Sequence, residues 1–198
     1  MKHILCYGDS NSWGSMSFGG RYPDAQQWPV HLQTILGTSF RVFQEGLCGR
    51  FAGELQEGSN AFTNGQSPFE AIYRSAMPLD YLIIALGTND LKIKYKRSAL
   101  QIYDDIIWYA KRAAQLSAEY GQTVQVVILA PANFISSKEY FYADSAVHEE
   151  LLELFMDCKY PLIMLSDLEI LEDGVHYTKA DHKKVAKVTA EYIKELES

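Results

Sequence analysis

Met1-Lys2-His3-Ile4-Leu5-Cys6-Tyr7-Gly8-Asp9-Ser10-Asn11 carries an apolar run of strand length, Ile4 to Tyr7, straight into a turn-forming Gly-Asp-Ser-Asn. The same transition returns along the chain. Phe40 to Phe43 leads to Gly46-Leu47-Cys48-Gly49-Arg50, and Tyr81 to Leu86 leads to Gly87-Thr88-Asn89-Asp90. Val124 to Leu129 forms a fourth run, and Leu162 to Leu165 a fifth, followed after a short connection by Asp173-Gly174-Val175-His176. Most of these runs are near-continuous rather than alternating, as expected of strands covered on both faces.

Between the runs the apolar spacing becomes helical. Trp28, Leu32, Ile35 and Leu36 form one stripe, and Ile102, Ile106, Tyr109, Ala110, Ala113 and Leu116 a longer one. Ser98 with Gln101 reads as a capping box before the long stripe, and Gly121 as its stop. Thr178 with Asp181 is an N-cap signal for a last helix facing inward through Val185, Val188, Tyr192 and Leu196. Strand followed by helix, about five times over, implies an α/β protein with a parallel sheet and helices on both faces. Neither a linker nor a charge block divides the 198 residues, so residues 1–198 read as one domain. At 47% hydrophobic residues the chain can bury a full core without disulfide or metal staples.

Eighteen Lys and Arg against 25 Asp and Glu give a net charge of −7, with the basic residues scattered. That excludes a nucleic-acid partner, which needs a clustered basic face. The one basic run, Lys92 to Arg97, reads as a solvated loop or helix start. No apolar stretch approaches the roughly 20 residues of a membrane span, and the first run is too short for a signal core, so a cytoplasmic location is expected. Three cysteines at long spacing are expected to be reduced, with Cys6 and Cys158 buried and Cys48 beside a candidate site residue. Edge strands and apolar helices can support a homo-oligomer.

In open α/β sheets the ligand crevice lies beyond the carboxyl ends of the strands. Ser10, Gly49 and Asn89 follow the first three strands there. A serine hydroxyl attacks at neutral pH only when a neighbouring base takes its proton. Of His3, His31, His148, His176 and His182, only His176 sits in a loop with an aspartate three residues before it, while His148 and His182 lie in charge-rich helical stretches. Asp173 can then hold Nδ1–H, leaving Nε2 free toward Ser10. Catalytic candidates are therefore Ser10, Asp173 and His176. Negative charge on an attacked carbonyl oxygen needs donors fixed in advance, and the Ser10 and Gly49 N–H groups with the Asn89 amide are the candidates. Substrate-lining candidates are Asn11, Trp13, Leu47, Phe51 and Val175, with Asn133 and Phe134 behind them.

Taken together, the four blocks resemble those of the SGNH hydrolases, also called GDSL-type esterases, whose lettered residues match Ser10, Gly49, Asn89 and His176. Gly8 to Gly14, Gln44 to Arg50, Leu86 to Leu91, and Gly19 to Pro23 with Trp28-Pro29 look like the arylesterase branch. The resemblance implies a flavodoxin-like three-layer α/β/α sandwich with a five-stranded parallel sheet. It also implies an acyl-enzyme mechanism needing neither metal nor cofactor, and small-molecule ester substrates with short-chain acyl, aryl or acetyl groups, acetylated sugars included. Two departures, Phe51-Ala52 after Arg50 and Cys48 in place of a small polar residue, touch the wall near the oxyanion site and bear on substrate preference. The competing reading is a flavodoxin-like module that binds phosphate or nucleotide at the glycine-rich loop after the first strand, without hydrolysis. Neither G-x-G-x-x-G nor a Walker pattern is present for it.

Overall fold

The computed structural model describes residues 1–54 and 61–198. Five parallel strands stand in the order β2-β1-β3-β4-β5: β1 (Lys2–Gly8), β2 (Phe40–Gly46), β3 (Tyr81–Ala85), β4 (Gln125–Leu129) and β5 (Leu162–Ile163). Helices α1 (Ser10–Trp13), α2 (Trp28–Leu36), α3 (Gln66–Ala76), α4 (Ala99–Ala118), α5 (Ser145–Met156) and α6 (Lys179–Leu196) fill the connections.

The continuous apolar runs follow from the two-residue period of a strand. Leu5 and Tyr7 of β1, with Leu82, Ile84, Val126 and Ile128, face a core built with α3, α4 and α5. Ile4, Cys6, Tyr81, Ile83, Val127 and Leu129 face a second core built with α2 and α6. The result is the expected flavodoxin-like α/β/α sandwich. The chain steps from β1 outward to β2 and then returns across β1 to β3, so the strand order reverses between β1 and β3. The crevice beyond that switch point is where Ser10 and Asn89 emerge.

Details differ from the sequence expectation. β2 runs on through Gln44 and Glu45 because the ladder with β1 continues to Gly46, and an edge strand tolerates polar side chains. β5 stops at Ile163, since as an edge strand it has only β4 to pair with, and Met164 turns outward. Ile35 and Leu196 are exposed. The buried face of α6 is Val185, Ala186, Thr189, Ala190 and Ile193, rotated from the expected stripe so that small residues let α6 lie close against α2. Cys158 is only half-buried, because it sits in the turn between α5 and β5. The capping box at Ser98 and Gln101 is present, and the long stripe of α4 is wholly buried. Among the described residues no helix is long and apolar enough to cross a membrane.

His182, within the charge-rich stretch of the last helix, is fully buried. Its Nδ1 accepts the Trp28 N–H at 3.2 Å, and Nε2 has no partner. Burial first, then the neighbouring His31 and His176, lower its pKa to about 4. The unfolded chain takes up this proton below its ordinary pKa of 6.5 and the native state does not, so stability is lost as pH falls from 6.5 toward 4. His182→Asn keeps an acceptor for Trp28. In urea unfolding it is expected to shrink the stability difference between about pH 7 and pH 4.5 by about 2 kcal/mol. An unchanged difference would mean that the imidazole is protonated in the native state.

Candidate active site

β1 ends at Gly8, and the chain turns at once into α1, whose first residue is Ser10. Asp9 caps the turn, its buried carboxylate accepting the Asn11 N–H at 2.9 Å, and burial raises its pKa. The turn lies hard against the end of β2. A Cβ on Gly46 would stand 2.2 Å from the Trp13 nitrogen, so only glycine lets the Ser10 turn pack there.

His176 arrives from the far end of the chain, on the loop between β5 and α6. Asp173 closes that loop on itself: Oδ1 accepts the N–H groups of Val175 at 3.2 Å and His176 at 3.1 Å, and Oδ2 lies 2.6 Å from His176 Nδ1. Burial would raise the Asp173 pKa, but the hydrogen bonds from the His176 ring and backbone outweigh it and hold the carboxyl below its ordinary value. A carboxylate can only accept, so Nδ1 carries the proton and Nε2, 3.0 Å from Ser10 Oγ, accepts the serine hydroxyl. Gly174, at φ +80°, presses against the loop after β4, and a Cβ there would lie 2.3 Å from the Ile135 carbonyl oxygen.

Asn11 sets the register between the two loops. Its Nδ2 donates to the Val175 carbonyl at 3.2 Å and its Oδ1 accepts the Tyr177 N–H at 3.1 Å, one bond on each side of His176.

On the other side of Ser10, Gly49 sits at φ +76° in the turn after β2. Among the described residues neither its N–H nor that of Ser10 has an acceptor. Asn89 opens the turn after β3, and its Oδ1 accepts the Lys92 ammonium at 2.8 Å. An ammonium has nothing to accept with, so this bond fixes the amide's orientation. One Nδ2–H donates to the Arg50 carbonyl at 3.1 Å, which leaves the other uncommitted beside Gly49. The buried Arg50 guanidinium lies 4.1 Å from the Tyr7 ring centre and donates to the Gly8 carbonyl at 2.8 Å and to the Glu45 carbonyl, tying the ends of β1 and β2 together. Asn89→Ala is expected to lower kcat by roughly 10²-fold or more in steady-state ester hydrolysis with KM little changed. A rise in KM alone would make Asn89 a binding residue.

The Lys92 to Arg97 run is the solvated loop expected at Lys94 and Lys96, which are exposed, but Lys92 and Arg97 turn inward. Lys92 is half-buried against Asn89, and burial lowers its pKa while Asp9 and Asp90 act in the opposite sense. Arg97 pairs with buried Asp90 and with Asp105. Burial foremost raises the Asp90 pKa to about 6, although Arg97 and the Ala52 N–H favour its carboxylate.

Several solved structures share this arrangement of the whole chain. Est24, a carbohydrate acetylesterase from Sinorhizobium meliloti, superposes with a TM-score of 0.88 at 24% identity, over 99% of this chain and 100% of that one. The native aryl esterase of M. smegmatis gives 0.87 at 25%, also over 99% and 100%. A carbohydrate acetylesterase family member from Sinorhizobium meliloti gives 0.85 at 22%, over 98% of each chain. The chain has the fold of these SGNH-type hydrolases. No family model and no curated protein sequence matches it.

In this SGNH-type fold the residues expected to line the substrate site divide. Trp13, at the end of α1, and Leu47 and Val175, on loops, are half-buried around Ser10. Asn11, as described, is occupied in holding the His176 loop. Phe51 is buried against the Tyr95 ring, 4.8 Å between centres, and so stands in the wall. Asn133 binds the Leu168 backbone through both ends of its amide, and Phe134 packs on Phe141 and His148. Cys48 is exposed, its sulfur 3.2 Å from Ser15 Oγ. Sequence reading missed the tasks of Lys92, Arg50 and Asn11. The three-residue spacing of Asn89 and Lys92 was a usable signal, whereas nothing local marks the carbonyls that Arg50 binds. Among the described residues no group of three or more His, Cys, Asp or Glu side chains is placed to hold a metal ion.

Proposed function

We propose that this chain is an SGNH-type serine esterase that cleaves carboxylic esters of small molecules, with short-chain acyl, aryl or acetyl groups and acetylated sugars as the substrate range, through an acyl-enzyme on Ser10. The observation that carries the reading is the unbroken line from Asp173 Oδ2 through the His176 ring to Ser10 Oγ, at 2.6 and 3.0 Å. The esterase character of the structural neighbours supports it.

Ser10 Oγ attacks the ester carbon while its proton passes to His176 Nε2, and Asp173 stabilises the imidazolium. The carbonyl oxygen, now anionic, accepts from the Ser10 and Gly49 N–H groups and the free Asn89 amide hydrogen. Collapse breaks the bond to the alcohol, which leaves with the proton from Nε2. Water then repeats the attack on the acyl carbon, again giving its proton to His176, and the acid departs as Ser10 Oγ recovers a proton. The glycines after β1 do not favour the phosphate-binding alternative. Gly14 ends α1, while Gly19 and Gly20 turn the short hairpin in which Ser15 pairs with Arg21. A cytoplasmic setting belongs to the same proposal, supported by three unpaired thiols.

Hydrolysis of 4-nitrophenyl acetate, butyrate and octanoate, together with a fluorophosphonate label located by mass spectrometry, tests this reading. Turnover with the label on Ser10 is expected, and the trend with acyl length sizes the pocket. No turnover and no label would mean an unactivated serine.

A further inference from the structure

The loop 133–143 spans one side of the candidate site. At one end the Ile135 N–H donates to the Gly174 carbonyl at 2.8 Å, within the Asp173 to His176 loop. At the other, Ala143 bridges to Lys92, the Ile93 N–H donates to the Tyr142 carbonyl at 3.1 Å, and the Asp144 N–H donates to the Leu91 carbonyl at 2.9 Å. The wall thus joins the loop of the base to the turn that carries Asn89. Where it meets that turn, Lys92, Lys94, Tyr140 and Tyr142 line an open groove of about 270 Å³. Lys92 also touches Asn89, so the groove begins one side chain from the oxyanion donor.

The lining has a definite chemistry. Tyr140 and Tyr142 are about half exposed, and the Phe18 ring stands 5.1 Å from Tyr140, extending an aromatic rim to the loop after Ser10. Lys94 lies 4.7 Å from the Tyr95 ring centre, and Lys138 lies 5.9 Å from that of Tyr142. Among the described residues Lys92, Lys94 and Lys138 form no ion pair, in a chain whose net charge is −7. Asp9 and Asp90 act on Lys92, whereas Lys94 is exposed and among the described residues has no carboxylate partner. Aromatic faces with unpaired cations suit a ring that carries negative charge.

We propose that this groove is a leaving-group subsite for esters whose alcohol part is a ring bearing an anionic group, with Lys94 as the residue that selects the charge. The proposal rests on the esterase reading. Its test compares 3-acetoxybenzoate with the neutral 3-acetoxybenzamide, using 4-nitrophenyl acetate as a reference without an anion. The expected result is a preference for the benzoate of about fivefold in kcat/KM, carried by KM, as for one exposed charge pair. It should shrink as salt rises from about 0.05 to about 0.5 M. Lys94→Gln should remove the preference and Lys94→Glu reverse it, both leaving 4-nitrophenyl acetate turnover unchanged. Equal kcat/KM on the pair, or a preference that survives Lys94→Glu, overturns the subsite alone. Absence of 4-nitrophenyl acetate hydrolysis in the unsubstituted protein overturns the esterase reading as well.

Discussion

Ser10→Ala is expected to lower ester turnover by roughly 10⁴-fold or more, with the fold intact. The substitution removes the hydroxyl that lies 3.0 Å from His176 Nε2. The oxyanion donors remain, so some rate over water should survive. A hydroxyl and an imidazole that act as one unit give non-additive losses, and Ser10→Ala/His176→Ala should be scarcely worse than either single change. Burst and steady-state kinetics on 4-nitrophenyl acetate, with circular dichroism to verify folding, provide the measurement. A Ser10→Ala protein that kept a tenth of its activity would place the nucleophile elsewhere.

Asp173→Asn is expected to cost nearly as much, roughly 10⁴-fold in kcat, while leaving the loop in place. The reason lies in the division of labour between the two oxygens. Oδ1 accepts two backbone N–H groups, so an asparagine must put its oxygen there and turn its NH2 toward His176 Nδ1. Nδ1 then becomes the acceptor, the proton moves to Nε2, and the ring presents a donor to a serine that needs a base. KM should change little, and fluorophosphonate labelling should slow in parallel with kcat. Hydrogen bonds hold the Asp173 pKa below its ordinary value, so the carboxylate persists above the usual carboxylate range and its loss begins only at lower pH. A loss of less than about tenfold would reduce Asp173 to a loop-closing residue.

Much of this was legible in the chain. Apolar runs and turn residues marked all five strands, the capping box marked α4, and the spacing of Asp173 and His176 picked one histidine from five. What escaped was set by partners remote in sequence. The charge-rich stretch around His182 gave no sign that α6 turns this side chain onto Trp28, 154 residues away. Lys92 and Arg97 looked like a surface run, yet they serve Asn89 and Asp90.

The sequence by itself determined the strand and helix order, the parallel sheet, and which side chains could act as nucleophile, base and donors. Periodicity, capping and turn chemistry are properties of neighbours along the chain. Only the tertiary structure decided how Asn11 grips both sides of His176, how Lys92 and Arg50 orient Asn89, and where an aromatic, cationic groove opens beside it. Those are matters of distance between separate loops, and burial, which makes each polar partner obligatory, exists only once the sheet and its helices have packed.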